Sequence, residues 1–478
     1  MIFFRWMVRI ALCGWMTVHA AHPTSSTLTE KKTKTPFATT TTSSFLRGGA
    51  PVLSKTKKIN NVGPRFNNNN KNNNKIKTRL PVGTAPVSSQ IFNLIKTIVG
   101  AGVLGLPAGM VASFAVAHHD SLSATLVPSM ICLLAIGALA AYAFCLIGTL
   151  CEQTQSTTYR EVWKNTVGPQ TAWIPAVACT AVTVCSCIAY SMILGTMVPE
   201  LLQSILNGFN FMGHKNGVLT ALTVFLLLPL CLLRNLSSLA PFSLLGIGGM
   251  VYTGLAMQVQ HWKGSYPPAM YTSVKSTSAS PAILLSMLST AYMAHYNAPK
   301  IYWELQDDKK RDFNKVVGAS FAGSMGLMTL IAGTGLATFG VHSASVILSN
   351  YNDPWMRVAK WAVALSLICS YPLAFTGVRD GILEYVKPAQ RDASFVPVTV
   401  SALAIITGIA MTLTNLQTLL AVGGATWGNA VIYLFPAMMF ISNENKKAPK
   451  DRKSVIGVYA MALTGLALGV VGTSQAIA

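Results

Sequence analysis

Residues 93–107 read NLIKTIVGAGVLGLP, and this stretch decides how the rest of the sequence is interpreted. Residues 100–105 match the pattern GxGxxG, which in a nucleotide-binding domain follows a β-strand within a βαβ unit. Here the pattern lies inside an apolar run with Pro107 behind it, which argues against a nucleotide site. Two interpretations remain. Either the glycines let helices pack closely, or they break a membrane helix and free backbone N–H groups that can hold a carboxylate.

Apolar runs of similar length fill the chain from residue 88 onwards. Of the 478 residues 51% are apolar and 11% are charged, whereas soluble domains usually carry about 25% charged residues. Each run is near the ~20 residues that a helix needs to span a bilayer. The sequence therefore predicts an all-α membrane protein with about 11 transmembrane helices, at residues 88–112, 125–150, 171–197, 217–233, 239–259, 281–303, 316–340, 355–378, 395–414, 417–441 and 455–476.

The positive charges of the loops predict the orientation in the membrane. One set of loops carries 16 Lys and Arg residues, and the alternate set with its margins carries 5. Lys and Arg concentrate in the loops on the cytoplasmic side of a membrane protein. The first set of loops therefore marks the cytoplasmic side, or the corresponding inner side if the membrane belongs to an organelle. Eleven spans then place the C-terminus outside.

The first 87 residues differ in composition from the rest of the chain. Residues 1–20 resemble a secretory signal, with Arg5 and Arg9 before an apolar stretch, and residues 21–87 form a basic Ser/Thr/Lys/Asn-rich tail that we expect to be disordered. Residues 1–88 hold 14 Lys or Arg and one acid, a net charge of +13 out of +21. A charge that lies in a tail and at helix ends, not on a folded face, argues against a nucleic-acid partner.

Three interpretations of this head stay open: a cleaved signal, a two-part organelle presequence, or a cytosolic tail behind a chance apolar stretch. A cleaved signal would send the tail to the side opposite to that indicated by the loops. The membrane therefore stays open too, as an endomembrane or vacuolar membrane, a plastid envelope or the plasma membrane. Residues 88–478 are the predicted transmembrane domain.

Groups that carry catalytic chemistry are sparse in this sequence. Its nine Cys include no CxxC pair, and no nucleophile–base pair, metal-ligand spacing or carboxylate cluster is evident. We therefore expect neither an enzyme nor a metal or cofactor site. The 15 acids fall at helix ends or in loops, so we expect no buried carboxylate within a span. Lys96 and His295 are the titratable groups inside the runs.

Each of these two residues has two interpretations. Lys96 either extends to the inner face or holds a fixed charge beside the break. His295 is either a packing residue or a proton-sensitive gate, since an unperturbed histidine has a pKa of ~6.5. Residues 289–299, which contain His295 and Pro299, are unusually polar for lipid depth. Broken segments in the first and sixth runs, five apart, indicate two inverted halves with a site between them.

Three stretches of the chain resemble the amino acid/auxin permease family. They are residues 93–107, residues 291–305 with His295, and Ser370-Tyr371-Pro372-Leu373 followed by Arg379. Residues 159–168 also fit, and the resemblance covers about residues 88–476. It implies a LeuT-like bundle of five-plus-five inverted repeats with one extra C-terminal helix, and amino acid transport by alternating access.

The resemblance also implies roles for particular residues. The substrate carboxylate would meet Val99, Gly100, Ala101 and Gly102. The substrate side chain would face Tyr190, Tyr292 and Ser366. Sodium-coupled members carry Asn in place of Lys96 and Thr in place of Ser370, whereas a Lys is similar to the proton-coupled and vacuolar branches. With His295 as a further coupling residue, a co-transported proton is favoured over sodium. The alternatives are a sodium-coupled transporter and an amino-acid sensor on the same fold.

Asn235 tests the predicted orientation directly. Residues 235–237 form the glycosylation triplet Asn-Leu-Ser, which lies on the predicted inner side and should stay unmodified. Electrophoretic mobility with and without a glycosidase measures this. A glycan on Asn235 of the wild-type chain, absent from Asn235→Gln, would reverse the orientation.

Overall fold

The computed structural model describes residues 83–114, 122–206, 210–234, 240–266, 280–446 and 452–477, which are almost entirely helical. Their one β-like feature is an isolated bridge between Ala85 and Leu305. The signal-like head, the tail up to residue 82 and Asn235 lie outside the described residues.

Helices occupy all of the predicted apolar runs. In the first part of the chain they are α1 Val87–Ile98, α2 Leu106–Phe114, α3 Leu122–Thr154, α4 Tyr159–Thr166, α5 Trp173–Ile205, α6 Lys215–Leu222, which continues to Cys231, and α7 Ala240–Trp262. In the second part they are α8 Pro281–Ala291, α9 Ala298–Glu304, α10 Phe313–Phe339, α11 Pro354–Leu383, α12 Arg391–Thr412, α13 Leu416–Gly423, α14 Phe435–Glu444 and α15 Arg452–Ile477.

The length and composition of these helices suit a bilayer. Among the described residues seven helices are long and apolar enough to cross a membrane, and the pair α1 and α2, bent by 43°, makes an eighth candidate. The count of eleven crossings stays a prediction. Large apolar side chains face outward, such as Phe225, which is 80% exposed, and Leu463, which is 67% exposed. Lipid surroundings account for a surface of this kind, which in water would favour association.

Helix α11 lies at the centre of the part of the fold that matters for function. It packs against α5 and α7. Its contact with α5 is close at Gly377, where a Cβ atom would lie 2.7 Å from the Thr183 side chain. Because α1 also packs against α7, the helices α1, α5, α7 and α11 surround one position in the membrane interior.

The end of α5 corrects one expectation from the sequence. The third apolar run was placed at residues 171–197, but α5 continues to Ile205 and so includes Glu200. The Glu200 side chain is only 19% exposed and pairs with Lys360 of α11 at 2.9 Å. Glu200 therefore lies inside a helix and is partly buried, beyond the end of the apolar run that the sequence marked.

The segment before α1 is fixed to the end of α9. The Ala85 N–H donates to the Glu304 carbonyl at 2.9 Å, and the Gln306 N–H donates to the Ala85 carbonyl at 3.1 Å. Gln90 adds a side-chain hydrogen bond to the Glu304 carboxylate at 3.3 Å. The start of the first run and the end of the sixth are thus held together on the predicted inner side.

Candidate functional site

The first apolar run is broken at Val99 and Gly100. Helix α1 ends at Ile98, Gly100 is extended with φ −114° and ψ −151°, and a 3₁₀ turn from Ala101 to Gly105 leads into α2. The N–H of Val99 still bonds the Ile95 carbonyl at 2.7 Å, and that of Gly100 bonds the Ile98 carbonyl at 2.9 Å. The N–H groups that begin the next helix have no acceptor within that helix. The broken-helix interpretation is confirmed, and the donors follow Gly100.

The sixth run is broken as well, and the two breaks meet. Helix α8 ends at Ala291, and helical structure resumes at the 3₁₀ turn His295–Asn297 before α9. A Cβ atom on Gly102 would lie 3.1 Å from the Ala291 Cα atom. Close packing at a glycine therefore accompanies the break, so both interpretations of the glycine-rich stretch hold.

A small central cavity lies beside the first break. Its volume is about 10 Å³, room for roughly one water molecule. Six of the ten predicted site residues line it, namely Lys96, Val99, Gly100, Tyr190, Ser366 and Ser370. Apolar side chains of Leu104, Met250, Val363 and Leu367 complete the lining. The structure thus brings together residues from α1, α5, α7 and α11, in a closed arrangement.

Lys96 spans this cavity and does not extend to the inner face. Its Nζ atom donates a hydrogen bond to Ser366 Oγ at 2.5 Å. Ser370, which lines the same cavity, donates to the Ser366 carbonyl at 2.6 Å. No carboxylate pairs with Lys96 in the part of the chain that the structure describes. Lys96 therefore points into the cavity beside the break, and its fixed charge there stays a prediction.

Tyr190 covers the other side of the break. Its hydroxyl lies 3.2 Å from the position that a Cβ atom on Gly100 would take. The Tyr190 ring lies 6.3 Å from the Tyr371 ring, between centroids. The Tyr371 hydroxyl in turn shares a hydrogen bond with Ser191 Oγ at 3.0 Å. A larger residue at position 100 or a bound molecule in the cavity would have to displace Tyr190.

Tyr292 and His295 lie elsewhere, against α3 and α10. The Tyr292 hydroxyl donates to the Leu133 carbonyl at 3.2 Å, and His295 Nε2 donates to the Ala140 carbonyl at 2.8 Å. The His295 ring is fully buried and makes edge contacts with Phe144 and Phe321. Neither residue lines the central cavity, and these contacts favour the packing interpretation of His295.

Helix α7 contributes two residues that were not predicted, Gly246 and Met250. A Cβ atom on Gly246 would lie 2.3 Å from Lys96 Nζ and 2.4 Å from Ser366 Oγ. The hydrogen bond between α1 and α11 therefore exists only because position 246 has no side chain. The glycines at 246, 248 and 249, in the middle of an apolar run, are the feature of the sequence from which this site could have been predicted.

A second, larger cavity of about 470 Å³ opens between α4, α5 and the end of α11. Tyr296 and Thr183 line it, and Arg160 is paired with Glu384 in its wall. None of the predicted site residues borders it, so it is separate from the central cavity.

Comparison with known proteins identifies the family. Residues 83–478 match the family model described as "Transmembrane amino acid transporter protein". The chain belongs to the transmembrane amino acid transporter family. It is accordingly an integral multi-pass membrane protein of a transporter family, not an enzyme.

Two curated relatives match most of the chain. "Vacuolar amino acid transporter 2" of Saccharomyces cerevisiae is 22% identical, over 81% of this chain and 82% of that protein. "Putative sodium-coupled neutral amino acid transporter 11" of Danio rerio is 24% identical, over 76% of this chain and 81% of that protein. Their names agree on amino acid transport, and one of them specifies sodium coupling.

A solved structure shares the fold. It is a Na⁺-coupled sialic acid symporter in a substrate-bound outward-open state, with a TM-score of 0.50 and 12% identity. The match covers 83% of this chain and 88% of that protein. At this identity the likeness concerns the fold alone, which supports the LeuT-like expectation at the level of an all-helical transporter bundle.

Substitution of Gly246 should separate Lys96 from Ser366. Gly246→Ala places a methyl group where the hydrogen bond runs, so we expect amino acid uptake to fall at least about tenfold, since one lost charged hydrogen bond is worth roughly 1.5–3 kcal/mol. Gly248→Ala is the matched control, because a Cβ atom there meets nothing within 4 Å. Uptake into proteoliposomes, normalised to folded protein, measures both variants. Equal uptake by the two variants would contradict the role of this contact.

Proposed function

We propose that this chain is a proton-coupled secondary active transporter that moves amino acids by alternating access. Residues 88–478 form its transport domain, with five-plus-five inverted repeats and α15 as the extra helix. The observation that carries the proposal is the Lys96 ammonium bonded to Ser366 at 2.5 Å beside the broken first run.

The substrate carboxylate binds where the helix restarts after Gly100. The N–H groups of Ala101 and Gly102 begin a helix there, so the positive end of its dipole faces the break. Lys96 lines the same cavity and adds a full positive charge. Tyr190 and Ser366 border the space on the side of the substrate side chain.

The size of the cavity supports an alternating mechanism. A volume of about 10 Å³ is far smaller than the ~300 Å³ of the smaller ligand pockets of proteins. An amino acid therefore enters only after neighbouring helices separate or Tyr190 turns away. The fixed segment before α1 closes the predicted inner side in this state.

The coupling ion follows from the charge on Lys96. A second cation at roughly 4 Å from the ammonium would be repelled by about 4 kcal/mol at an effective dielectric constant of about 20. Ser366 already accepts the Lys96 hydrogen bond, and Ser370 donates to backbone. The repulsion from the Lys96 ammonium therefore favours a proton over sodium.

Counterflow in proteoliposomes tests the transport function without any imposed ion gradient. Vesicles loaded with one unlabelled amino acid at a time should transiently accumulate the same labelled amino acid from outside, because a carrier exchanges substrate across the membrane. Gly100→Ala should reduce the signal several-fold, since its methyl group lies 3.2 Å from the Tyr190 hydroxyl. Gly326→Ala, with nothing within 4 Å, is the control.

One result would refute this function, and a second would refute the proposed substrate site. Binding of an amino acid without counterflow, for the whole panel, would favour the sensor alternative. Counterflow unaffected by Gly100→Ala would place the substrate away from the first break.

A further inference from the structure

We propose that Lys96 determines substrate specificity by excluding amino acids whose side chain carries a positive charge. The substrates are accordingly amino acids with a neutral or an anionic side chain. This inference rests on the proposed function, because it concerns the same central cavity, and it adds the property by which that cavity selects among amino acids.

The Lys96 ammonium lies in the space that a substrate has to enter. Lys96 and Gly100 both line the central cavity, and four residues correspond to about 6 Å along a helix. The Lys96 side chain crosses from α1 to α11, where its Nζ atom donates to Ser366 Oγ at 2.5 Å. A substrate side chain that enters between these two helices therefore comes close to the ammonium.

The helices around the cavity hold no acid close to Lys96. Helices α1, α2 and α7 and residues 101–105 contain no Asp or Glu. Helices α5 and α11 contain one acid each, Glu200 and Asp380. Each of these is ten residues from the nearest cavity residue on its own helix, which is about 15 Å along the helix axis. Both carboxylates are also paired already with a Lys or an Arg.

The lining of the cavity likewise offers no counter-charge to a second cation. Of the ten lining residues five are apolar and none is acidic. Three more, Tyr190, Ser366 and Ser370, supply neutral hydroxyls. A lining of this kind accommodates an apolar or a hydroxylated side chain, whereas a cationic one finds no carboxylate with which to pair.

The charge of the substrate side chain therefore decides whether the substrate binds. The α-ammonium of an amino acid is bonded to the same carbon atom as the α-carboxylate, so this part of every substrate brings no net charge. An ammonium or guanidinium on the side chain adds a net positive charge beside Lys96. Like charges repel strongly where water is excluded, and a buried charge without a partner is costly. Neutral and anionic side chains do not meet this repulsion.

Ligand pairs of matched shape test this charge selection in the full chain. Citrulline has the shape of arginine without its charge, and norleucine has the shape of ornithine without its charge. Because a ligand that binds the folded state raises the unfolding temperature, thermal stabilisation of the purified chain at fixed neutral pH measures binding without transport. The half-saturating concentration should be at least about tenfold higher for arginine than for citrulline, and likewise for ornithine than for norleucine.

Substitutions at two positions separate the charge from the hydrogen bond. Lys96→Met removes the charge and should bring the arginine-to-citrulline ratio of half-saturating concentrations close to that of an uncharged cavity, about one. Ser366→Asp sets a carboxylate beside the ammonium and should lower the ratio as well, even if Lys96→Met fails to fold. Ser366→Ala is the matched control, because it removes the acceptor of the hydrogen bond but keeps the charge, so the ratio should persist. A merely structural Lys96 would affect both ligands equally and leave the ratio unchanged.

Three results would overturn the charge selection: wild-type chain that binds arginine as tightly as citrulline, a ratio that persists in both Lys96→Met and Ser366→Asp, or a ratio that is lost in Ser366→Ala. The two proposals fail separately. Counterflow without charge selection removes only the role of Lys96, whereas charge-selective binding without counterflow removes only the transport function. Stabilisation by none of the neutral amino acids would overturn both.

Discussion

A lysine ammonium inside a bilayer must find an acceptor or reach water, because an isolated charge in a low-dielectric medium is costly. Lys96 donates a hydrogen bond to Ser366, and much of the arrangement around Lys96 follows from this contact. Gly246 leaves the space in which the hydrogen bond forms, and the break after Ile98 places the end of α1 next to the same cavity. One polar contact thus joins α1 to α11, and the absence of a side chain at position 246 of α7 leaves room for it.

Helix α11 takes part in the polar contacts of two lysines. It carries the hydrogen-bond acceptor of Lys96, and it carries Lys360 itself. Ser366 receives Lys96 in the cavity, and Lys360, six residues earlier, pairs with Glu200 towards the predicted outer end. A movement of α11 relative to α5 or α1 would change both contacts together. Helix α11 is thus a physical connection between the cavity and the ion pair nearer the predicted outer end.

The parts of the fold that depend on local chemistry were predictable from sequence. Apolar runs predicted the helices, glycines followed by Pro107 predicted the break at residues 99–100, and polar residues followed by Pro299 predicted the break at residues 292–294. The direction of side chains after a break was not predictable, because the helical period is interrupted there; Tyr292 and His295 consequently face α3 and α10. The hydrogen bond from Lys96 to Ser366 was not predictable either, because it joins helices that are 270 residues apart in the chain. Glu200 was missed because α5 continues beyond its apolar run.

The central claim is that the Lys96 ammonium takes the place of a coupling cation, so that a proton and not sodium drives transport. Its most direct test is uptake of a counterflow-positive amino acid at fixed external pH, with all sodium replaced by choline and with an imposed pH gradient present or collapsed. The account predicts unchanged uptake in choline and loss of accumulation when the pH gradient is collapsed. Uptake that stops in choline and ignores the pH gradient would contradict it.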